Sequence, residues 1–430
     1  MTEEAWSGKD MLSKITAPRT NDWAARNAHR GSTQTSATDA ICIGVSRLTV
    51  VLSLLFPATA FAQVGCASEF LNPQESYPHN TALPAATPFE LQRGATLGTV
   101  HYKVAGDPAV HTLEEYLGKF CTTGLLVIKD EQIVFERYLQ GRKPTDHLLS
   151  ASLSKTILAL LTGIAIGDGK LTLDDRVSTL LPEFGASAFA DATVEDLLRM
   201  SSGVALTNSF ERGVDSDNRA INPMIWPRRD VADYLRKKTG RSSPPGSVFD
   251  YNGAQTAVLG LAIKRRTGSG ATAYLQEKVW IPMGAESSSY WIVNQNGDEG
   301  VAGQFAATLR DYARLGILVM NQGRINGKQI ISADWITQMT RLRTDKPQPS
   351  HPPFYGLHIW IPQAAGGRAM FWGTNGQNIF IDPIARVVIV HTGNGPNAEF
   401  NGNAHLFPLR DAIVRTLSNP VVDHKPPGSE

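Results

Sequence analysis

A serine and a lysine one helical turn apart, Ser152-Leu153-Ser154-Lys155, are the residues of this chain best placed to do chemistry. Residues three apart on a helix share a face, so the Lys155 amine can reach the Ser152 hydroxyl. A serine hydroxyl is a poor nucleophile at neutral pH until a base within hydrogen-bond reach takes its proton. Lysine supplies that base when burial or nearby positive charge lowers its pKa. About one S-x-x-K is expected by chance in a chain of this length, so the surroundings decide. Downstream, Thr156 to Ile166 is apolar or small at nearly every position and runs into Gly167-Asp168-Gly169. That pattern predicts a helix buried on most of its circumference with a glycine stop. Ser152 then sits at the start of a core helix, where free amides and the macrodipole favour a developing anion. The same residues also read as a serine cap beside a solvated first-turn lysine.

The elements that must position the pair are visible on both sides. Upstream, Gly124–Lys129 and Gln132–Tyr138 flank a turn at Asp130-Glu131 and read as a β-hairpin. Downstream come short helices, one capped by Thr193, and a stretch from Val204 to Arg229 without clear period, which reads as a long pocket-lining loop. Helices are expected from Ala254 to Thr267, closed by Gly268, from Ala271 to Trp280, and from Leu309 to Leu318 after Thr308. Strands are expected at Gly356–Ile361, Arg368–Trp372, Gln377–Ile381 and Arg386–His391, with a last helix at His405–Leu417. Strands at both ends with helices between them predict an α/β domain interrupted by a helical insertion. The expected divisions are a leader and signal over 1–62, an irregular lead-in over 63–110 and the main domain over 111–425, with the insertion at about 170–305.

The chain has 430 residues, 42% hydrophobic and 19% charged, with a formal net charge of +1. The near-neutral balance argues against nucleic acid as a partner. Residues Leu48 to Phe61 are apolar, with Arg47 before them and Ala60-Phe61-Ala62 at their end, the layout of a secretory signal cleaved after Ala62. The run is too short to span a bilayer comfortably, so no stable membrane span is expected after cleavage. Export to the periplasm or beyond follows. Cys66 also suits a lipid anchor, although Gln63 stands where such signals want an aliphatic residue. Cys66 and Cys121 are the two cysteines left in the mature chain, and an oxidising compartment makes them a disulfide candidate. His351, His358 and His405 have no metal-ligand spacing, so neither metal nor cofactor is expected. Ser201-Ser202-Gly203 lacks the G-x-S-x-G elbow and reads as a turn. Tryptophans 226, 280, 291, 360 and 372 read mainly as core, with Trp226 and Trp372 as candidates to line an apolar acyl pocket.

Several ordered stretches resemble the serine β-lactamase and penicillin-recognising superfamily, from about Thr123 to Leu417. They are the hairpin before Ser152-Leu153-Ser154-Lys155, Gly169-Lys170-Leu171-Thr172-Leu173-Asp174-Asp175 with Leu181-Pro182-Glu183, Leu197 to Gly203, and Pro245 to Tyr251. The nearest branch is that of class C β-lactamase-like hydrolases, namely family VIII esterases and 6-aminohexanoate-dimer hydrolases. The resemblance implies a β-lactamase/transpeptidase-like fold, an antiparallel sheet flanked by helices with an inserted helical subdomain. It implies an acyl-enzyme at Ser152, with base duty shared by Lys155 and by Tyr251 of Tyr251-Asn252-Gly253 as a tyrosinate. Gly253 stands where class C enzymes carry the asparagine that holds a lactam side chain, and Asn252 lies one place early, which speaks against efficient β-lactam hydrolysis.

The superfamily also has a K-T-G or H-T-G strand motif whose backbone forms half of an oxyanion hole. His391-Thr392-Gly393 matches the letters but is followed by only one helix. Trp372-Gly373-Thr374-Asn375-Gly376 is followed by a further strand and then that helix, as the superfamily requires, so Thr374 and Gly376 are the expected oxyanion and substrate residues, with Asn252. Nylon-oligomer hydrolases hold the amide nitrogen with a loop tyrosine. Residues 204–229 contain Phe210 and no tyrosine, so esters are expected to be cleaved faster than amides. The resulting expectation is a secreted serine hydrolase acting on a small ester, amide or lactam. A β-lactamase or D,D-peptidase is the alternative enzyme. A non-catalytic penicillin-recognising sensor is the alternative of another class, and it would need none of Ser152, Lys155 and Tyr251.

Overall fold

The computed structural model describes Cys66 and residues 71–209, 215–363, 365–395 and 403–418. The expected leader and signal and Phe210 lie outside these residues. Strand β1 (Thr122–Lys129) and strand β2 (Gln132–Tyr138) form the expected hairpin. Its two-residue turn has φ of 49° at Asp130 and 65° at Glu131. Both positive values suit the right-handed twist of the flanking strands. Helix α1 (Ser154–Gly167) follows the catalytic-type motif, then α2 (Gly253–Thr267) and α3 (Leu309–Met320). Strands β3 (Phe354–Tyr355), β4 (Trp360–Ile361), β5 (Ala369–Trp372), β6 (Asn378–Asp382) and β7 (Val387–Gly393) lead to helix α4 (Asn403–Ser418).

All seven strands join one antiparallel sheet in the order β3-β4-β5-β6-β7-β1-β2. The period of two sorts its side chains. Leu126, Ile128, Val388 and Val390 face the core that contains α1, α2 and α3, while Leu125, Val127, Val387 and Ile389 face α4 and the helix Leu113–Lys119. Each such fully buried aliphatic contributes about 1.5–3 kcal/mol. Burial on both faces explains why β1 reads as a nearly continuous apolar run. The fold class is therefore the expected one, an antiparallel sheet flanked by helices.

Two regions differ from the sequence reading. The lead-in is not wholly irregular, because His79–Ala82 pairs with Ser289–Ile292 and His101–Lys103 pairs with Val110–Thr112. The strand expected over 356–361 is split, because Gly356–Ile359 makes a tight turn with His358 at a φ of 54°. A second sheet, in the order His79–Ala82, Ser289–Ile292, Phe305–Ala307, Leu148–Leu149, sets the approach to the site. Leu148–Leu149 feeds directly into Ser150, whose amide donates to the Phe305 carbonyl at 2.7 Å.

Cys66 and Cys121 form a disulfide, which engages the Cys66 sulfur and leaves it no free thiol. Among the described residues no helix is long and apolar enough to cross a membrane.

Candidate active site

The chain turns sharply into Ser152. Ala151 takes a left-handed φ of 45°, and Ala151–Leu153 forms a single 3-10 turn before α1. The amides of such a first turn have no acceptor within the helix. From this turn the Ser152 hydroxyl faces the Lys155 amine, with Nζ and Oγ 2.7 Å apart. Lys155 is only 4% exposed and packs over the Tyr251 ring, 5.1 Å from its centroid. Its second partner is the Ala302 carbonyl, which accepts from Nζ at 2.6 Å. No carboxylate is among these neighbours, and burial pushes the amine from its ordinary value of 10.5 down to about 7. The solvated-lysine reading is thereby excluded.

Tyr251 completes the group, its ring under the Lys155 amine and its phenol influenced by the Ser152 hydroxyl. Burial pushes this phenol up to about 12, with the Ser152 contact opposing the shift. That changes the role expected for it. In the same dry setting burial lowers the lysine and raises the tyrosine, an arrangement that suits a neutral Lys155 amine as the base better than a tyrosinate. A phenol that keeps its proton suits a donor role.

Asn252 does not face this group. It is fully buried, its Oδ1 accepts from the Ala254 amide at 2.9 Å as the cap of α2, and its Nδ2 donates to the Thr207 carbonyl at 3.0 Å. A substrate-binding asparagine and a helix cap look alike in a sequence, and the local hydrogen bonds here make it a cap.

The opposite wall comes from the sheet. The end of β5 runs so close to Ser152 that a Cβ on Gly373 would lie 2.5 Å from the Ser150 carbonyl and 3.0 Å from the Ser152 amide. Only a glycine permits that approach. Thr374–Gly376 then forms a short turn in which Asn375 has a φ of 62° and Gly376 of 94°. His391-Thr392-Gly393 lies elsewhere, within β7 between β6 and β1. Of the two competing strand motifs, the structure brings Trp372-Gly373-Thr374 to Ser152.

The family model described as Beta-lactamase matches residues 111–407. This chain belongs to the beta-lactamase family. A 6-aminohexanoate-dimer hydrolase of Paenarthrobacter ureafaciens is 26% identical over 317 residues, 71% of this chain and 80% of its own. A solved structure of a candidate 6-aminohexanoate-dimer hydrolase from Bacillus anthracis superposes with a TM-score of 0.74 at 24% identity, covering 82% of this chain and 94% of that one. A family VIII carboxylesterase gives a TM-score of 0.56 at 17% identity, with 70% and 96% covered. The last two likenesses concern the fold.

As a serine hydrolase of the beta-lactamase family, the chain uses residues that sequence reasoning missed. The Ala302 carbonyl is one, and Ser154 is another. The Ser154 hydroxyl donates to the Val301 carbonyl at 2.6 Å and accepts from Trp291 Nε1 at 3.1 Å, tying the start of α1 to the segment that holds Lys155. An aromatic wall beside Tyr251 was missed in part. Tyr355 and Trp360 pack on Tyr251 at 5.8 and 5.4 Å between ring centroids, and Trp372 continues the wall 5.2 Å from Trp360. Trp280 and Trp291 are core, whereas Trp226 is exposed under the Arg229 guanidinium. An excess of aromatics at 355, 360 and 372 beside the strand motif was the available signal.

Proposed function

We propose that this protein is an exported hydrolase that cleaves small carboxylic esters through an acyl-Ser152 intermediate, with amides slower and β-lactams slow. The observation that carries the reading is the buried, carboxylate-free Lys155 amine 2.7 Å from Ser152 Oγ. When neutral, that amine accepts the Ser152 proton while Oγ forms a bond to the substrate carbonyl carbon. The carbonyl π electrons move onto oxygen, and the amides of Ser152 and Thr374 receive the resulting oxyanion. Collapse breaks the bond to the leaving oxygen, which takes a proton from Tyr251, and Lys155 returns one to Tyr251. Water then attacks the acyl carbon by the same steps, releasing the acid and Ser152.

An activated alkoxide leaves without help, whereas an amide nitrogen must be protonated first. Residues 204–229 contain no tyrosine to hold that nitrogen in place for it. The half-buried Trp360 and Trp372, backed by the buried Tyr355, suit an apolar acyl group. The test is kcat/KM on a p-nitrophenyl ester, a chromogenic cephalosporin and a matched pair of linear ester and amide oligomers. The ester should exceed its amide analogue by about a hundredfold or more, equivalent to at least ~2.7 kcal/mol. Comparable values would overturn ester preference, and a cephalosporin hydrolysed as fast as the ester would favour the β-lactamase reading.

Export is supported by the signal-like run ending at Ala62 and by a disulfide at Cys66. N-terminal mapping of protein recovered from the periplasm should begin at Gln63. Retention of residues 1–62 there would reject cleavage.

A further inference from the structure

We propose that His391 is a positioning residue for the oxyanion-binding turn, fixing the backbone of residues 373–377 against Ser152 by donating from Nδ1 to the Gly376 carbonyl. The inference rests on the reading above, in which the Thr374 amide meets the oxyanion.

His391 sits on β7, 1% exposed, with Nδ1 2.6 Å from the Gly376 carbonyl oxygen. A carbonyl only accepts, so Nδ1 carries the hydrogen. A neutral ring then offers Nε2 as an acceptor, and two hydroxyls face it, Thr122 Oγ1 at 3.0 Å and Tyr116 at 3.3 Å. Burial drives the imidazole down to about 4, so this arrangement persists through the working pH range. Gly376 accommodates the ring. A Cβ there would lie 3.2 Å from His391 Cε1, and its φ of 94° is one that other residues rarely adopt.

The turn is fixed from two further directions. Gln377 Nε2 donates to the carbonyls of Gly393 at 2.6 Å and Asn375 at 3.3 Å, and Asn375 Nδ2 donates to Gly395 at 2.7 Å. His391 supplies the link from the turn to the middle of the sheet, through Thr122 on the neighbouring strand β1. A carbonyl held in one direction holds its whole peptide plane. The direction of the nearby amides, on which a tetrahedral oxyanion depends, is therefore set partly by an imidazole that never meets substrate.

The experiment compares His391→Asn, which keeps an N–H donor near the Nδ1 position, with His391→Phe, which keeps bulk and removes the donor. Readouts are kcat and KM on a p-nitrophenyl ester, Ki for an arylboronic acid that forms a tetrahedral adduct on Ser152, and Tm. His391→Phe should lower kcat by about 10–100-fold, one step short of losing an oxyanion donor outright. Its boronate Ki should rise by a similar factor, with KM within about threefold. His391→Asn should recover most of that loss at an equal or lower Tm. Wild-type kcat and Ki in His391→Phe, or an Asn variant no better than the Phe variant, would overturn the proposal. If neither variant folds, Thr122→Val decides, since valine suits a strand and removes only the hydroxyl facing Nε2. A loss of about threefold or more in kcat supports the proposal and an unchanged kcat rejects it. Ser152→Ala is assayed in parallel. Activity remaining there would sink the parent reading, whereas an inactive Ser152→Ala beside a fully active His391→Phe would sink only this inference.

Discussion

The site has two halves that work by different means. The helical half presents side chains: the Ser152 hydroxyl within hydrogen-bond reach of the buried Lys155 amine, with the Tyr251 ring packed against that amine. The sheet half presents backbone, since Gly373 passes the Ser152 amide at a distance no side chain would tolerate. Chemistry in the first half depends on which atoms are there. Chemistry in the second depends on where the chain runs, and residue identity matters only as it permits that path.

The contrast can be broken from either side. The largest effect belongs to Ser152→Ala, which should remove turnover by several orders of magnitude while leaving the fold, because one lost hydroxyl contact costs only about 1 kcal/mol. A variant keeping more than a few per cent of activity would refute the helical half. Lys155→Ala and Tyr251→Phe should each lower kcat by about a thousandfold, with the double variant little worse than either. Multiplicative losses would mean that the two do not share one proton path.

In the intact enzyme kcat/KM should rise tenfold per pH unit up to about 7 and then level. The base must be neutral, and the Lys155 amine loses its proton near 7 rather than near 10.5. Tyr251, pushed up to about 12, stays protonated throughout and adds no falling limb below that value. A pH–rate profile flat from 5 to 8 would disprove this assignment of the base.

The sheet half predicts an inverted pattern. Gly373→Ala adds one methyl group that must displace the Ser150 carbonyl or the strand, and it should lower kcat by about a hundredfold. Thr374→Val should stay within about threefold of wild type, because only the Thr374 amide is engaged. A severe Thr374→Val defect beside a mild Gly373→Ala one would reverse the contrast. The smallest catalytic effect should come from Cys121→Ser, which removes the bond to Cys66. It should lower stability by about 2–4 kcal/mol with kcat nearly unchanged, measured by denaturant melts beside steady-state assays.

The same division explains what could be read in advance. Ser152 and Lys155 were legible because their roles are carried by side-chain type and short spacing, and Tyr251 through the resemblance of Tyr251-Asn252-Gly253 to a superfamily motif. The β1–β2 hairpin and the glycine stop of α2 at Gly268 were legible because they are local. The Ala302 carbonyl under Lys155 was not, since any residue supplies a carbonyl and only the strands on either side of it set its place. The strand His79–Ala82 was hidden for a related reason. Its residues carry no apolar alternation, and it exists because Ser289–Ile292 offers an edge to pair with. Asn252 misled because a cap and a ligand-binding amide share one side chain. His391 was seen as a rival motif, whereas its bond to Gly376 depends on two strands being in register.

The order of strands in the main sheet has a consequence for biosynthesis. Strand β1 is made early, yet one of its two neighbours is β7, the last strand among the described residues, with Leu126 opposite Val390 and Ile128 opposite Val388. Until β7 leaves the ribosome, β1 keeps an apolar edge without its partner, the kind of exposed edge that invites wrong pairing and the help of chaperones. Closure of the sheet, a contact between distant parts of the chain, must then come late and slowly. A nascent chain halted before Val387 would already hold Ser152, Lys155 and Tyr251. It would still lack the strand that carries His391, and the turn beside the nucleophile would have nothing to rest on.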